Sequence, residues 1–294
     1  MHHAILGPGG IGGLIGASLA HSGERVTMVV RPESLANYPG HLHLESTFGT
    51  YDEAVEHAST APSADLLWVT VKAPQLEQAL RSIPQGSAFS GVVPLLNGID
   101  HVARLRARFG EPVVIPATIA GESERIAPGR ISHPSPFAIL SVSSSGRTLL
   151  EGTLEKLKKI GFTYRFVDSE ATLLWGKLVF LAPIALSTTA AAVPIGEVLA
   201  NAAWRRQFEA CVYEVCAVAA AEGAMVDAEK TIAGILKLPG STRSSMQKDV
   251  ERGNPPELDA IAGPVLRGAA RHHILVPSTQ ALAAQVEHRS RKIA

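Results

Sequence analysis

The 294-residue chain is long enough for two ordinary domains or one large one, and a 46% hydrophobic composition excludes a disordered polymer. Lysine plus arginine and aspartate plus glutamate each total 27, so the formal net charge is zero. That balance leaves no electrostatic basis for nucleic acid or an anionic membrane as partner, and any anion must be recognised locally.

Short β-rich runs alternate with helical patterns through the first half, which predicts an α/β unit with a parallel sheet. The predicted strands are His3 to Gly7, Arg25 to Arg31, His41 to Thr47, Asp65 to Lys72 and Val92 to Asn97. The predicted helices between them are Ile11 to His21, Gln75 to Ser82 and Asp100 to Phe109. From Pro112 to Val142 the β-branched content stays high without helices, so antiparallel strands are expected to close the sheet. A helix over Gly152 to Ile160 and a strand over Thr163 to Val167 follow. Beyond Asp168, where Asp168 or Ser169 can cap a helix, the pattern is helical: Ala171 to Ala191, Ala203 to Gly223, Ala228 to Leu236, Ser241 to Arg252, Leu258 to His272 and Ser278 to Arg291. The expected domains are therefore 1–168 and 169–294. Folds that follow a cofactor domain with a helical one usually place the active site between the two.

Cys211 and Cys216 lie in an apolar, alanine-rich stretch, without metal-ligand spacing or a disulfide framework, and read as reduced core residues. The first residues lack a basic segment followed by an apolar run and a cleavage site. The most apolar later stretch, Leu173 to Ile195, carries Lys177 and two prolines, short of the roughly 20 clean residues a membrane span needs. The expectation is a cytoplasmic chain with no membrane partner. The eleven histidines are scattered, so no metal is expected.

Chemistry enters at Gly7-Pro8-Gly9-Gly10-Ile11-Gly12. G-x-G-x-x-G is weak alone, but here it follows an apolar strand and opens an apolar helix, the context in which it holds a dinucleotide pyrophosphate. The first glycine makes the turn and the second admits the phosphates. The third lets helix and strand pack closely, and the helix N-terminus supplies positive potential. The second strand ends in Arg31 rather than an acidic residue. A guanidinium there can pair with the 2′-phosphate of NADP, which favours NADPH, or it is an ordinary surface arginine. Lys72 and Gln75 follow the Asp65 strand, and Asn97-Gly98 follows the Val92 strand, at carboxyl ends where doubly wound sheets bind ligands. In the helical half, Lys177 sits within Leu174-Trp175-Gly176-Lys177-Leu178, either as a site lysine or as one snorkelling to the surface. Ser244-Ser245-Met246-Gln247-Lys248-Asp249 and Gly253-Asn254-Pro255-Pro256-Glu257-Leu258-Asp259 follow it.

Taken in order, GxGxxG, Arg31, V-K-x-x-Q, N-G, L-W-x-K-L, S-S-M-x-x-D and P-x-E-x-D resemble the ketopantoate reductase (2-dehydropantoate 2-reductase) family across essentially the whole chain. The resemblance implies a Rossmann-type N-terminal domain and an all-helical C-terminal domain of the 6-phosphogluconate dehydrogenase C-terminal-like kind. It also implies NADPH-dependent reduction of a 2-oxo acid to the R-2-hydroxy acid, a step of pantothenate synthesis, with a small molecule as substrate. Carried over residue by residue, Lys177 would be the general acid in the cleft between the domains. Asn97 would orient substrate and nicotinamide, Glu257 would accept hydrogen bonds from substrate, ribose or lysine, and Ser245 would hold the substrate carboxylate. Gly7 to Gly12, Arg31, Lys72, Gln75 and Asn97 would contact NADP. The alanine-rich C-terminal helices would suit a homodimer interface.

The departures fall on the substrate. The family's asparagines four and eight residues after the lysine are Leu181 and Ala185 here, and two further asparagines are Ile195 and Thr242. Removing buried polar groups removes the demand for a hydroxylated ligand, so a more hydrophobic 2-oxo acid or ketone is expected. Repacking that brings Ser187, Thr188 or Thr189 into the vacated positions is the competing expectation. A non-catalytic NADPH sensor is a further alternative, disfavoured because such a protein has no use for Lys177 and Glu257.

Overall fold

A computed structural model describes residues 1–293 of the chain. It forms two compact units. Among the described residues, one comprises Met1–Leu96 with His101–Asp168, the other Asn97–Asp100 with residues 169–293.

The first unit is built on a five-stranded sheet ordered Glu56–Ala58, Arg25–Val29, His2–Leu6, Ala64–Val69 and Phe89–Pro94, every neighbouring pair parallel. The chain order reverses direction between His2–Leu6 and Ala64–Val69, the switch point at whose carboxyl side doubly wound sheets bind ligands. The apolar run of the central strand is buried from His3 to Leu6, as required where both faces of a parallel strand are covered. The Gly10–His21 helix is apolar on nearly all sides and buried from Gly12 to Leu19.

The expectation that later strands close this sheet is corrected. Ala117–Ala120 pairs antiparallel with Ile139–Ser143, which pairs parallel with Thr163–Val167, in a separate three-stranded sheet. His41–Ser46 also leaves the parallel sheet. It forms a hairpin with Gly49–Ala54 and joins Arg130–His133 and Glu124–Ala127 in a four-stranded sheet. The reason is local. Thr47-Phe48 and Gly49, at φ 140°, make a connection far too short for a parallel crossover, so the next strand must return antiparallel. The strand Gly49–Ala54 alternates half-buried and exposed residues, fitting one covered face.

No strand occurs among the described residues of the second unit. Its axis is the 22-residue helix Glu170–Ala191, started by Ser169, whose hydroxyl accepts from the Thr172 amide at 3.1 Å. By length and hydropathy alone this helix could cross a membrane, but two-thirds of its most apolar window is buried in the protein. Leu178, Val179, Ala182, Ala185 and Leu186 pack with Phe208, Val212, Val215, Val265 and Leu282 into one core. Leu258 to His272 splits into Leu258–Ile261 and Gly263–His272, and an unpredicted helix spans Ile195–Ala200.

The central strand carries one unusual burial. His3 is fully buried, its Nδ1 accepting from the Trp68 indole at 3.2 Å while Nε2 lies 3.8 Å from Glu24. Glu24 is held by the chain's N-terminal ammonium and by Lys156. Burial pushes the imidazole down from 6.5 to about 4, with Glu24 opposing in part. Between those values the unfolded chain binds a proton that the folded chain refuses, so stability is full above about 6.5 and drains as pH falls. Urea unfolding should give about 2 kcal/mol less stability at pH 5 than at pH 7 from this residue, and His3→Gln should flatten that difference. An equal pH dependence in His3→Gln would assign the effect elsewhere.

Candidate active site

The glycine-rich turn is held by its own backbone and by a threonine, Thr70, that the sequence does not single out. Gly7 takes φ 105°, a conformation that side chains resist, and a Cβ there would come within 2.6 Å of Val71. The Thr70 hydroxyl donates to the Gly7 carbonyl at 2.8 Å and to Leu6 at 3.1 Å, locking the turn to the next strand. A Cβ on Gly12 would lie 2.1 Å from the Gly7 carbonyl, so the third glycine is required for helix and turn to touch. Gly9, by contrast, faces open space. A cradle closed beneath Gly7 and Gly12 and open above Gly9, at the start of a buried helix, fits a dinucleotide pyrophosphate. Ser123, also unforeseen, braces the helix start, its hydroxyl donating to the Gly10 carbonyl at 2.9 Å.

Pro8 and Ile11 flank this turn half-exposed, and Ile11 rests on the core. Arg31 is exposed two residues beyond the second strand, with no carboxylate partner among the described residues. Lys72 is exposed and Gln75 half-buried at the carboxyl end of the fourth strand, bridged by a Gln75 amide to Lys72 carbonyl bond of 2.8 Å.

The second unit brings three predicted residues together. Glu257 is 6% exposed and ends the loop before Leu258–Ile261. The Asn97 side-chain amide donates to its Oε2 at 3.1 Å. Lys177, half-buried on the Glu170–Ala191 helix, is close enough to feel that carboxylate. Desolvation draws its pKa from 10.5 down to about 8, and the negative charge of Glu257 opposes that fall. An amine with a pKa near the working pH, next to a fixed carboxylate, is the chemistry of a general acid.

Ser245 is placed differently from its neighbours. It is exposed at the first position of Ser245–Glu251, while Ser244 is the cap, accepting from Gln247 at 3.1 Å. On the lysine face, Leu181 packs on the helical core, and Ala185 and Ile195 are buried within it. Of the three candidate replacements, Thr188 alone has hydrogen-bond partners: the Ile184 carbonyl at 2.8 Å and the Ser244 hydroxyl at 2.9 Å. The Ser187 and Thr189 hydroxyls are buried without one. The Ile195 amide donates to the Thr242 carbonyl at 2.9 Å, so position 242 contributes its backbone to this wall.

Residues 3–141 match the family model described as ketopantoate reductase PanE/ApbA, and residues 171–290 match the model of its C-terminal region. The chain belongs to the ketopantoate reductase family. Its members are NADPH-using oxidoreductases acting on CH–OH groups, with a Rossmann-type domain followed by a helical one. The chain is 26% identical to the uncharacterized oxidoreductase YkpB of Bacillus subtilis, with 98% of each chain covered. It is 27% identical to the 2-dehydropantoate 2-reductase of Archaeoglobus fulgidus, covering 90% of this chain and 89% of that one. Among solved structures, a D-mandelate dehydrogenase with NADH and anilino(oxo)acetate shares the fold at TM-score 0.89 and 20% identity, covering 100% of this chain and 99% of that one.

A desolvated lysine costs stability wherever it stays charged. The folded-state pKa lies below the unfolded value, so the cost is present in full below about pH 8 and disappears as pH rises toward 10.5. The stability of the wild type relative to Lys177→Met should therefore rise by roughly 2 kcal/mol between pH 7 and pH 10 in denaturant melts, on top of the constant effect of leaving Glu257 without its partner. A difference that stays the same across that range would show that the ammonium is well solvated.

Proposed function

We propose that this member reduces a 2-oxo acid to the R-2-hydroxy acid with NADPH, and that its substrate carries an apolar side chain in place of the hydroxylated one of ketopantoate. The observation that carries the reduction is the Lys177–Glu257–Asn97 group. The Gly7–Gly12 turn would hold the pyrophosphate of NADPH and Arg31 its 2′-phosphate, and the cofactor would supply the hydride.

The chain's own residues handle the proton. As negative charge develops on the carbonyl oxygen, the Lys177 ammonium stabilises it and then donates its proton, leaving the neutral amine to be recharged from solvent. The lowered pKa makes this lysine a stronger acid than an exposed one. Glu257 keeps it protonated near neutral pH, and Asn97 fixes the carboxylate that does so. Ser245, exposed at the start of its helix, is free to meet the substrate carboxylate, and Lys72 and Gln75 complete the cofactor contacts. The two free, buried cysteines suit the reducing cytoplasm in which this reaction is expected.

Leu181, half-buried on the lysine face, can meet an apolar substrate; Ala185 and Ile195, buried behind it, offer no amide to pair with a substrate hydroxyl, and the Thr188 hydroxyl is already satisfied by Ser244. A site of this fold that holds anilino(oxo)acetate in the D-mandelate dehydrogenase structure agrees with that reading. NADPH oxidation measured with ketopantoate, ketoisovalerate and phenylglyoxylate should give kcat/KM at least about tenfold lower for ketopantoate. Comparable or faster turnover of ketopantoate would sink the changed specificity while leaving the reductase intact.

Lys177→Ala should lower kcat by about a thousandfold with NADPH affinity unchanged, and the wild-type rate should decline as pH rises past about 8, where the proton donor is lost. Retained turnover in Lys177→Ala would remove the proton donor from the scheme. Arg31→Ala should weaken NADPH about 10–100-fold and leave NADH untouched, the loss of one charge-assisted fork. Equal weakening of both cofactors would mean that Arg31 does not read the 2′-phosphate.

A further inference from the structure

Asn97 belongs to a four-residue segment, Asn97–Asp100, that lies with the helical unit although its flanking residues lie in the other. Something must hold it there. Ile99 packs on the helical core, and Gly98, at φ 81°, comes so close to the Leu258–Ile261 helix that a Cβ would lie 2.3 Å from the Ala260 carbonyl. Arg267 then bridges two carboxylates: Nη1 donates to Asp259 Oδ1 at 2.7 Å, and Nη2 donates to Asp100 Oδ2. Its guanidinium passes over Gly263, where a Cβ would collide with both terminal nitrogens at 2.5 and 2.7 Å.

We propose that Arg267 is a positioning residue, which ties the Asn97–Asp100 segment to the helix that follows Glu257 and so sets Asn97 in hydrogen-bonding range of the Glu257 carboxylate. Asp100 is three residues from Asn97, and Asp259 is two from Glu257. One planar fork therefore fixes the spacing of the two strips of backbone that present the pair. The role is geometric more than energetic. The Arg267 side chain is 45% exposed, and an exposed ion pair adds little to folding. The same fork can still decide a side-chain placement on which catalysis depends. This also gives a purpose to Asp259, the last residue of the P-x-E-x-D signature, which touches neither Asn97 nor Glu257 in the hydrogen bonds described.

The proposal rests on the catalytic reading of Asn97 and Glu257 for its effect on rate, but not for its effect on structure, so two measurements are needed. In ¹⁵N-labelled protein, the side-chain amide resonances of Asn97, assigned by their loss in Asn97→Ala, should shift and exchange faster with solvent in Arg267→Met. Asp100→Ala, which removes the acceptor at the loop end and leaves the Arg267–Asp259 pair, should do the same and covers the case in which Arg267→Met does not fold. Unmoved Asn97 resonances in a folded variant of either kind would overturn the proposal.

In NADPH assays with the best of the three 2-oxo acids above, Arg267→Met should lower kcat roughly 10–100-fold with the KM for NADPH unchanged, and Arg267→Lys, which reaches one carboxylate at a time, should restore part of it. Placed on Asn97→Ala, Arg267→Met should cost less than about threefold more, because both act through the same contact. Multiplying penalties would overturn it. Retained turnover in Lys177→Ala alongside moved Asn97 resonances would instead sink the catalytic reading and leave the tether standing.

Discussion

An ammonium group on an apolar helix is the constraint from which the helical unit of this protein is arranged. Glu170–Ala191 packs along most of its length into a hydrophobic core, and Lys177 has to be accommodated on it. Desolvation pushes the lysine toward its neutral form, and a carboxylate nearby pulls it back. That carboxylate, on Glu257, is itself almost wholly buried and needs a donor, which Asn97 supplies from a segment far away in sequence. Each step settles one unfavourable burial with the next group outward, until the chain of dependence reaches the exposed Arg267 with its two aspartates.

The rest of the lysine face is set by the opposite principle. Polar groups there would each need a partner, from protein or from substrate. The chain largely dispenses with them: Leu181, Ala185 and Ile195 belong to the hydrophobic core, and the one hydroxyl on that face with partners, Thr188, is satisfied internally. Polar side chains thus gather at Lys177, Glu257 and Asn97, while Leu181, Ala185 and Ile195 are packed in hydrocarbon.

Much of the first unit was legible because its signals are local. The glycine turn, the central strand and the following helix declare themselves within about twenty residues, and the steric need for Gly7 and Gly12 follows from the same few atoms. The sequence predicts a longer parallel sheet than the chain forms, because a β-rich run does not say which sheet it joins. His41–Ser46 is diverted by the tight connection at Thr47 to Gly49, and Ala117–Ser143 by antiparallel partners among its own strands. In the helical unit, periodicity found the long helices but not Ile195–Ala200, which is six residues and begins after Pro194. Of the site, Asn97 stands out by its place at a strand's carboxyl end and Lys177 by its place in an apolar helix, while their roles, and Glu257 itself, follow only from the family pattern. Sequence alone had no means of showing that Asn97 lies with the helices, because the ties that keep it there span some 160 residues. Thr70 was passed over because a threonine at a strand end carries no distinguishing signal.

The arrangement of the helical unit depends on the Lys177 ammonium being held between a desolvating surround and the Glu257 carboxylate. Its titration can be followed directly by NMR of the lysine side chain, assigned by its loss in Lys177→Met. A midpoint near 8 is predicted for the wild type, moving lower in Glu257→Gln, where the opposing charge is gone. A midpoint close to 10.5, or one indifferent to Glu257→Gln, would contradict it.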